Sequence, residues 1–129
     1  MVIDTSALLA VLLNEPEATD IARAIATAAR RLVSAFSSLE TAVVIEAKKG
    51  ENGGREFDLL IHKAGLDIVV MDAAQAEIAR TAWRKFGKGR HPAALNIGDC
   101  CAYALSRFTG EPLLFKGEDF AKTDVHRVS

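Results

Sequence analysis

Short apolar runs alternate with longer amphipathic segments along the chain. Apolar residues in the longer segments recur at helical spacing, whereas the short runs are typical of buried strands. The predicted strands are Val2-Ile3, "LVSAF", "LDIVVMD", "EPLLFKG" and, as a last short strand at the edge, "DVHRVS". The predicted helices are "ALLAVLL", "EATDIARAIATAARR", "SSLETAVVIEAKKG", "REFDLLIHKAG", "AAQAEIARTAWRKF" and "GDCCAYALSRF". Because strands separated by helices need crossover connections, the sequence predicts a three-layer α/β fold with a mostly parallel central sheet of four to five strands flanked by helices.

Polar residues and glycines at the element boundaries predict how the helices begin and bend. Thr5 and Ser6 supply capping hydroxyls for the first helix. Ser37 and Glu40 have the spacing of a capping box, in which the glutamate returns to the serine amide. Gly53-Gly54 permits a bend before "REFDLLIHKAG". In that capping box Glu40 has a structural role that does not depend on catalysis or metal binding.

Composition and charge bound the class of protein. The 129 residues are half hydrophobic and about a quarter charged, so we expect one soluble domain over residues 1–129. The net charge of -1 creates no global field, so any electropositive surface must be local. Cys100 and Cys101 are adjacent in a helical pattern and are predicted to be buried structural thiols. Without an apolar run of ~18 residues or a basic leader region, we expect no membrane span, no signal peptide and a cytoplasmic location.

Acidic residues fall where the predicted strands end and the following helices begin. Asp4 ends the first strand, Glu40 lies in the first turn of the helix after the second, and Asp99 opens a late helix. Glu118 and Asp119 follow the strand "PLLF". In an open parallel sheet, ligands bind beyond the carboxyl ends of the strands. Four chain segments therefore bring carboxylates to one cleft, although each acid alone is also typical of a helix start or a polar turn.

A cleft of carboxylates predicts a bound cation. Like charges held close together repel each other and either raise their pKa values or hold a positive ion. Hard oxygen ligands favour magnesium or manganese over zinc, and His62, His91 and His126 are too scattered in the sequence to suggest a metal site.

The segments that carry these acids resemble the PIN-domain nucleases, and within them the VapC-like toxins of bacterial toxin-antitoxin pairs. The matching stretches are "MVIDTSALLAVLLNEPE", "SAFSSLETAVVI", "GKGRHPAALNIGDCCAYALS" and "EPLLFKGEDFAKTDV", in this order over the whole length. The resemblance implies a PIN-like fold and a metal-dependent endoribonuclease that cuts structured RNA such as tRNA or ribosomal RNA. It also implies a cognate antitoxin and a homodimer, for which the apolar helical surfaces of residues 7–31 and 37–48 are candidate contacts.

The resemblance also implies which residues form the active site. By position, Asp4, Glu40 and Asp99 match the family's acids, with Asp4 and Asp99 as direct ligands of Mg²⁺ or Mn²⁺. Asp119 is the chosen fourth acid, which with Glu40 binds a second ion or orients water. Ser6 matches a hydroxyl that supports the metal site. The alternatives for the fourth acid are Glu118 and Asp124.

A basic segment before Asp99 is the candidate surface for RNA phosphates. The stretch "WRKFGKGRH" combines cationic residues with Trp83 and Phe86, although basic residues also complement the dipole at a helix C-terminus. The candidates in and beyond this stretch are Arg84, Lys85, Lys88, Arg90 and, beside the acidic loop, Lys116 and Lys122.

Two other classes of function are compatible with acids at strand ends. One is a catalytically silent module that binds RNA or protein and retains the acids structurally. The other is a phosphoryl-transfer enzyme or receiver domain, in which Lys116 would be the lysine after a late strand. Ser6 stands where the aspartyl-phosphate enzymes have their second aspartate, which counts against that alternative.

Overall fold

The sheet is fully parallel and has four short strands. The computed structural model describes residues 1–128. The strands are β1 (Val2–Ile3), β2 (Leu32–Ser34), β3 (Asp67–Val69) and β4 (Leu113–Leu114). Their order in the sheet is β3-β2-β1-β4, and every pairing is parallel. In the described part of the predicted edge strand "DVHRVS", residues 124–128, the pairing is an isolated bridge between Arg127 and Leu113, and Ser129 lies outside the described residues.

Helices fill the connections between the strands, as the alternating pattern predicts. They are α1 (Thr5–Leu12), α2 (Ala18–Thr27), α3 (Ala35–Ala64), α4 (Ala73–Phe86) and α5 (Ile97–Thr109), followed by a 3-10 turn at Phe120–Lys122. Within residues 1–128, no helix is long and apolar enough to cross a membrane.

The sheet has an apolar core on each face. Successive strand residues point to opposite faces, so even a two-residue strand contributes one side chain to each core. Val2 and Leu113 pack with residues of α4 and α5, whereas Ile3 and Leu114 pack with residues of α1, α2 and α3. The three-layer α/β prediction is therefore confirmed.

The helix starts differ from the predicted caps. Asp4 itself is the N-cap of α1, and the Thr5 hydroxyl donates instead to the carbonyl of Ser37 at 3.3 Å. Helix α3 begins earlier than predicted because the Ser34 side chain accepts a hydrogen bond from the Phe36 amide. The predicted capping box of Ser37 with Glu40 is therefore wrong, and the Glu40 carboxylate is not used to begin the helix.

Helix α3 is broken at Gly50 rather than at Gly53-Gly54. Gly50 has φ +66° and ψ -161°, a conformation that a residue with a side chain rarely adopts. A Cβ at Gly53 would lie 2.7 Å from the Ile45 carbonyl oxygen, and one at Gly54 would lie 2.9 Å from the Glu46 side chain. The paired glycines thus serve close packing of the two halves, while the bend occurs at the preceding glycine.

Candidate active site

Asp4 lies at the carboxyl end of the central strand β1 and is almost fully buried. Its backbone amide donates to the Leu114 carbonyl at 2.9 Å, which fixes it beside the end of β4. Its Oδ2 atom accepts hydrogen bonds from the Ser6 amide at 3.0 Å and from the Ser6 hydroxyl at 2.6 Å. The residue is only 4% exposed. A carboxylate is therefore held in a fixed orientation where water cannot solvate it well.

Ser6 connects Asp4 to the loop after β4. Its hydroxyl oxygen accepts a hydrogen bond from the Lys116 amide at 3.0 Å while donating to Asp4. The chain after β4 then continues to Asp119 at the start of the 3-10 turn. The hydroxyl for which the family resemblance implies a supporting role thus contacts Asp4 directly.

Asp99 both caps its own helix and belongs to the acidic site. Its Oδ2 atom accepts from the amide of Asn96 at 3.0 Å, and the Asn96 side chain accepts from the Asp99 amide at 2.8 Å. This reciprocal capping box begins α5. The structural role considered for Asp99 is therefore present, and it fixes the orientation of the carboxylate rather than replacing a chemical role.

The side chain of Glu40 extends from α3, and its carboxylate lies against the first turn of α5. A Cβ on the buried Gly98 would lie 2.6 and 2.7 Å from the two carboxylate oxygens of Glu40. A side chain at position 98 would therefore displace the Glu40 carboxylate from the start of α5. Sequence reasoning missed Gly98, although a glycine inside a helical pattern costs about 1 kcal/mol relative to alanine and so signals a close approach.

The charges of four acids interact at this edge of the sheet. Burial raises the pKa of Asp4 from 3.8 to about 6, and the Glu40 charge adds to the increase against the Ser6 hydrogen bonds. Burial likewise raises the pKa of Asp99 from 3.8 to about 6, with further contributions from Asp4, Asp119 and Glu40. Among residues 1–128, no lysine or arginine forms an ion pair with any of the four. The site carries negative charge that the protein does not neutralise.

The candidates for the fourth acid occupy different surroundings. Asp119 is exposed in the loop after β4, and its charge contributes to the raised pKa of Asp99. Asp124 accepts a hydrogen bond from the Tyr103 hydroxyl at 2.6 Å and faces Arg107 at 3.9 Å. Glu118 is exposed on the same loop, but its charge is not among the largest contributions to the raised pKa of Asp99. The charge of Asp119 therefore acts on the acidic site, whereas Asp124 has Tyr103 and Arg107 as partners.

The donor set fits a hard divalent cation that keeps part of its water shell. Within the described part of the chain, no three His, Cys, Asp or Glu side chains are arranged to hold a metal ion by themselves. Magnesium commonly binds through one or two carboxylates and completes its coordination with water and substrate phosphates. Buried, uncompensated carboxylate oxygens therefore fit Mg²⁺ or Mn²⁺, with substrate required to complete the shell.

The basic candidates divide into an exposed group and one engaged lysine. The α4–α5 connector is closed by hydrogen bonds between its ends, from the Lys88 amide to the Leu95 carbonyl and from the Leu95 amide to the Phe86 carbonyl, both at 2.9 Å. This closure places the basic end of α4 beside Asn96, the N-cap of α5. The exposed cations at this end are Arg84, Lys85, Lys88 and Arg90.

Lys116 is held by acids rather than left free. Its ammonium pairs with Glu15 and with Glu17, the latter at 3.0 Å, and these contacts raise the pKa of Lys116. Its contribution to phosphate binding would require breaking two ion pairs, whereas Lys122 is exposed on the 3-10 turn.

Comparison with known proteins assigns the chain to a family. The PIN-domain family profile matches residues 1–126, and the chain belongs to this family. Ribonuclease VapC30 of Mycobacterium tuberculosis is 55% identical over 129 residues, covering 100% of this chain and 98% of the relative. Ribonuclease VapC of Mycolicibacterium smegmatis is 56% identical over 128 residues, covering 99% of each. Within the family the chain is thus a VapC-type ribonuclease, and the predicted toxin-antitoxin class is confirmed at the level of the family.

Solved structures of this type have the same fold at low sequence identity. The Mycobacterium tuberculosis toxin VapC20, described as cleaving the sarcin-ricin loop, superposes with a TM-score of 0.79 at 15% identity, covering 98% of this chain and 97% of that one. VapBC2 from Rickettsia felis, bound to a promoter DNA fragment, superposes with a TM-score of 0.75 at 14% identity, covering 99% and 96%. These two likenesses establish the fold alone.

Proposed function

We propose that this protein is a Mg²⁺- or Mn²⁺-dependent endoribonuclease that hydrolyses phosphodiester bonds in structured RNA, such as tRNA or ribosomal RNA. The observation that carries the proposal is the convergence of Asp4, Glu40, Asp99 and Asp119 at one sheet edge without a compensating cation. Helix capping alone would not need two charged side chains whose ionisation is penalised by burial, because neutral serine and asparagine also cap helices.

Each acid has a role that follows from its surroundings. Asp4 and Asp99 would hold the ion, because Asp4 is buried and Asp99 is half-buried, both are oriented by hydrogen bonds, and both have a raised pKa. Glu40 and Asp119 hold a second ion or orient the attacking water. Ser6 keeps Asp4 in position through its hydroxyl. A bound divalent ion supplies a Lewis acid that promotes deprotonation of water and stabilises charge on phosphate oxygens.

The substrate must reach this acidic site despite charge repulsion between phosphates and carboxylates. The exposed cations at the end of α4 and in the connector supply the positive surface for that approach, since phosphate contacts dominate non-specific affinity for RNA. The basic surface consists of Arg84, Lys85, Lys88 and Arg90, with Lys116 as a weaker candidate. A tRNA or ribosomal RNA target agrees with action in the cytoplasm.

The proposal includes a protein that restrains the nuclease. The Rickettsia felis structure contains VapBC2 bound to a promoter DNA fragment, and with this likeness we extend the cognate antitoxin and the homodimer that the family resemblance implies to this chain. Leu39 and Val43 lie one turn apart on α3 and are both exposed, which supports this surface of residues 37–48 as a contact. Size measurement by light scattering tests the homodimer.

The test is cleavage of a defined RNA pool by purified protein. We expect fragments from tRNA and ribosomal RNA with Mg²⁺ or Mn²⁺ and none with EDTA. Asp4→Asn and Asp99→Asn should abolish cleavage, because each removes a ligand oxygen and a charge at the ion site. Asp58→Asn removes an exposed aspartate of α3 and is the matched control.

A second pair of variants identifies the fourth acid. Asp119→Asn should lower cleavage strongly, whereas Asp124→Asn should have little effect because the asparagine oxygen still accepts from Tyr103. Full activity in Asp4→Asn or Asp99→Asn, or cleavage that survives EDTA, would contradict the proposal. Binding of RNA without turnover would favour the silent module instead.

A further inference from the structure

An apolar groove of about 490 Å³ lies between α4 and α5. Its size is within the range of about 300–1,000 Å³ that is typical of sites for small organic groups. Trp83 and Arg80 of α4 form one wall, and Ile97, Cys100 and Cys101 of α5 form another, with Phe36 at the base of α3. Trp83 is 42% exposed and Ile97 is 70% exposed, so large apolar surface is presented to solvent.

The groove and the acidic site are both built on α3 and α5. Phe36 and Glu40 are four residues apart on α3, so their side chains lie on the same helix face. On α5, Ile97 and Cys100 flank Gly98 and Asp99, and Glu40 packs against Gly98. A molecule in the groove would therefore lie next to the helix turns that carry Glu40 and Asp99.

The chemistry of the groove is aromatic and apolar with cations at its rim. Arg80 is the charged member of the lining, and the Arg90 guanidinium lies 4.2 Å from the centre of the Trp83 ring. An aromatic surface with adjoining guanidinium groups suits a planar base whose flanking phosphates are negative.

We propose that this groove receives one unstacked base of the RNA next to the phosphodiester that is cleaved, with Trp83 as the stacking surface and Arg80 and Arg90 as contacts to the flanking phosphates. This inference rests on the proposed nuclease function and adds to it a determinant of base preference. Charge complementarity favours RNA over an apolar protein segment, because Arg80 in the lining and Arg90 against Trp83 are cationic and suit phosphate groups.

Cleavage of a single-stranded RNA pool of randomised sequence, with mapping of the cut positions, tests the role of Trp83. Stacking on an aromatic side chain contributes enough affinity that its loss weakens binding about 5-fold or more. We expect Trp83→Leu to lower the cleavage rate by at least that factor and to flatten the base preference on one side of the cut. Trp83→Phe should retain the preference. Phe108→Leu changes an aromatic residue that is 49% exposed outside the groove and should behave as the wild type.

Fluorescence gives an independent readout, because Trp83 is the only tryptophan in the chain. In EDTA, single-stranded oligomers of A, C, G or U should quench this fluorescence saturably, with at least one base preferred. An abasic strand of equal length should not quench it. Urea unfolding of both Trp83 variants checks that they fold.

The outcomes separate the base site from the nuclease itself. The base site is overturned if the wild type cuts RNA and Trp83→Leu cuts at the same rate with the same base preference, or if the abasic strand quenches equally. Such a result would leave the groove as a docking surface for protein. A wild type that cuts neither this pool nor tRNA and ribosomal RNA would instead refute the proposed function, whatever the fluorescence shows.

Discussion

Replacing Asp4 by asparagine should stabilise the protein when divalent cations are absent. Asp4 is 4% exposed, and its pKa is raised from 3.8 to about 6, mainly by burial. Because one pKa unit corresponds to about 1.4 kcal/mol, keeping this group ionised costs the folded state about 3 kcal/mol at neutral pH. Asparagine removes the charge and keeps an oxygen to accept from Ser6. Its buried amide group offsets about 1–2 kcal/mol of the benefit, so we expect a net gain of about 1–2 kcal/mol.

The gain has a definite dependence on pH. The folded pKa of Asp4 lies above its ordinary value, so the folded protein binds more protons than the unfolded chain between about pH 4 and pH 6. The stability contributed by this carboxyl is therefore present at low pH and is lost as pH rises through 6. The advantage of Asp4→Asn should be complete above about pH 6 and mostly absent near pH 4.

Urea unfolding in EDTA at pH 7.5 and pH 4.5 measures this effect. The free energies of unfolding come from linear extrapolation, with Trp83 fluorescence and circular dichroism as probes. The exposed control Asp58→Asn should change stability by less than about 0.5 kcal/mol. The reasoning is refuted if Asp4→Asn is no more stable than the wild type at pH 7.5, or if the same gain persists at pH 4.5.

Three further changes test the site. Gly98→Ala should leave the unfolding midpoint close to that of the wild type but lower RNA cleavage at least about 10-fold, because its Cβ would displace the Glu40 carboxylate. Cleavage equal to that of the wild type would contradict the role of the Glu40 position. Ser6→Ala removes a hydrogen bond that lowers the pKa of Asp4, so the acid limb of the pH-rate profile for RNA cleavage should move to higher pH. An unchanged profile would count against the role of Ser6. Reversing the charges of Arg84, Lys85 and Arg90 to glutamate should weaken RNA binding and flatten its salt dependence in filter-binding assays, and unchanged binding would remove this surface from the proposal.

The layer arrangement could be predicted because the strands carry an unambiguous pattern. Val2-Ile3 and "PLLF" are short apolar runs separated by helical periodicity, and a parallel sheet follows from the lengths of the connections. The positions of Asp4, Glu40 and Asp99 after strands or at helix starts then indicate one sheet edge. This part of the reasoning needs only local pattern and topology.

The finer geometry depends on contacts that local pattern does not specify. Ser34 rather than Ser37 begins α3, because β2 ends at Ser34, two residues before the end of the predicted run "LVSAF". The reason for a glycine at position 98 is the nearby carboxylate of Glu40, which is distant in sequence. Lys116 is paired with Glu15 and Glu17 across the fold, so its availability to RNA cannot be read from its position beside the acidic loop.

Calorimetric titration with Mn²⁺ tests most directly whether the converging carboxylates form one cation site. At pH 6, Asp4 and Asp99 are each partly protonated, so binding should release on the order of one proton, seen as a dependence of the heat on the buffer. At pH 8 the release should be close to zero, and Asp4→Asn should weaken binding strongly. Wild-type binding without proton release at pH 6, together with equal affinity in Asp4→Asn, would contradict the account.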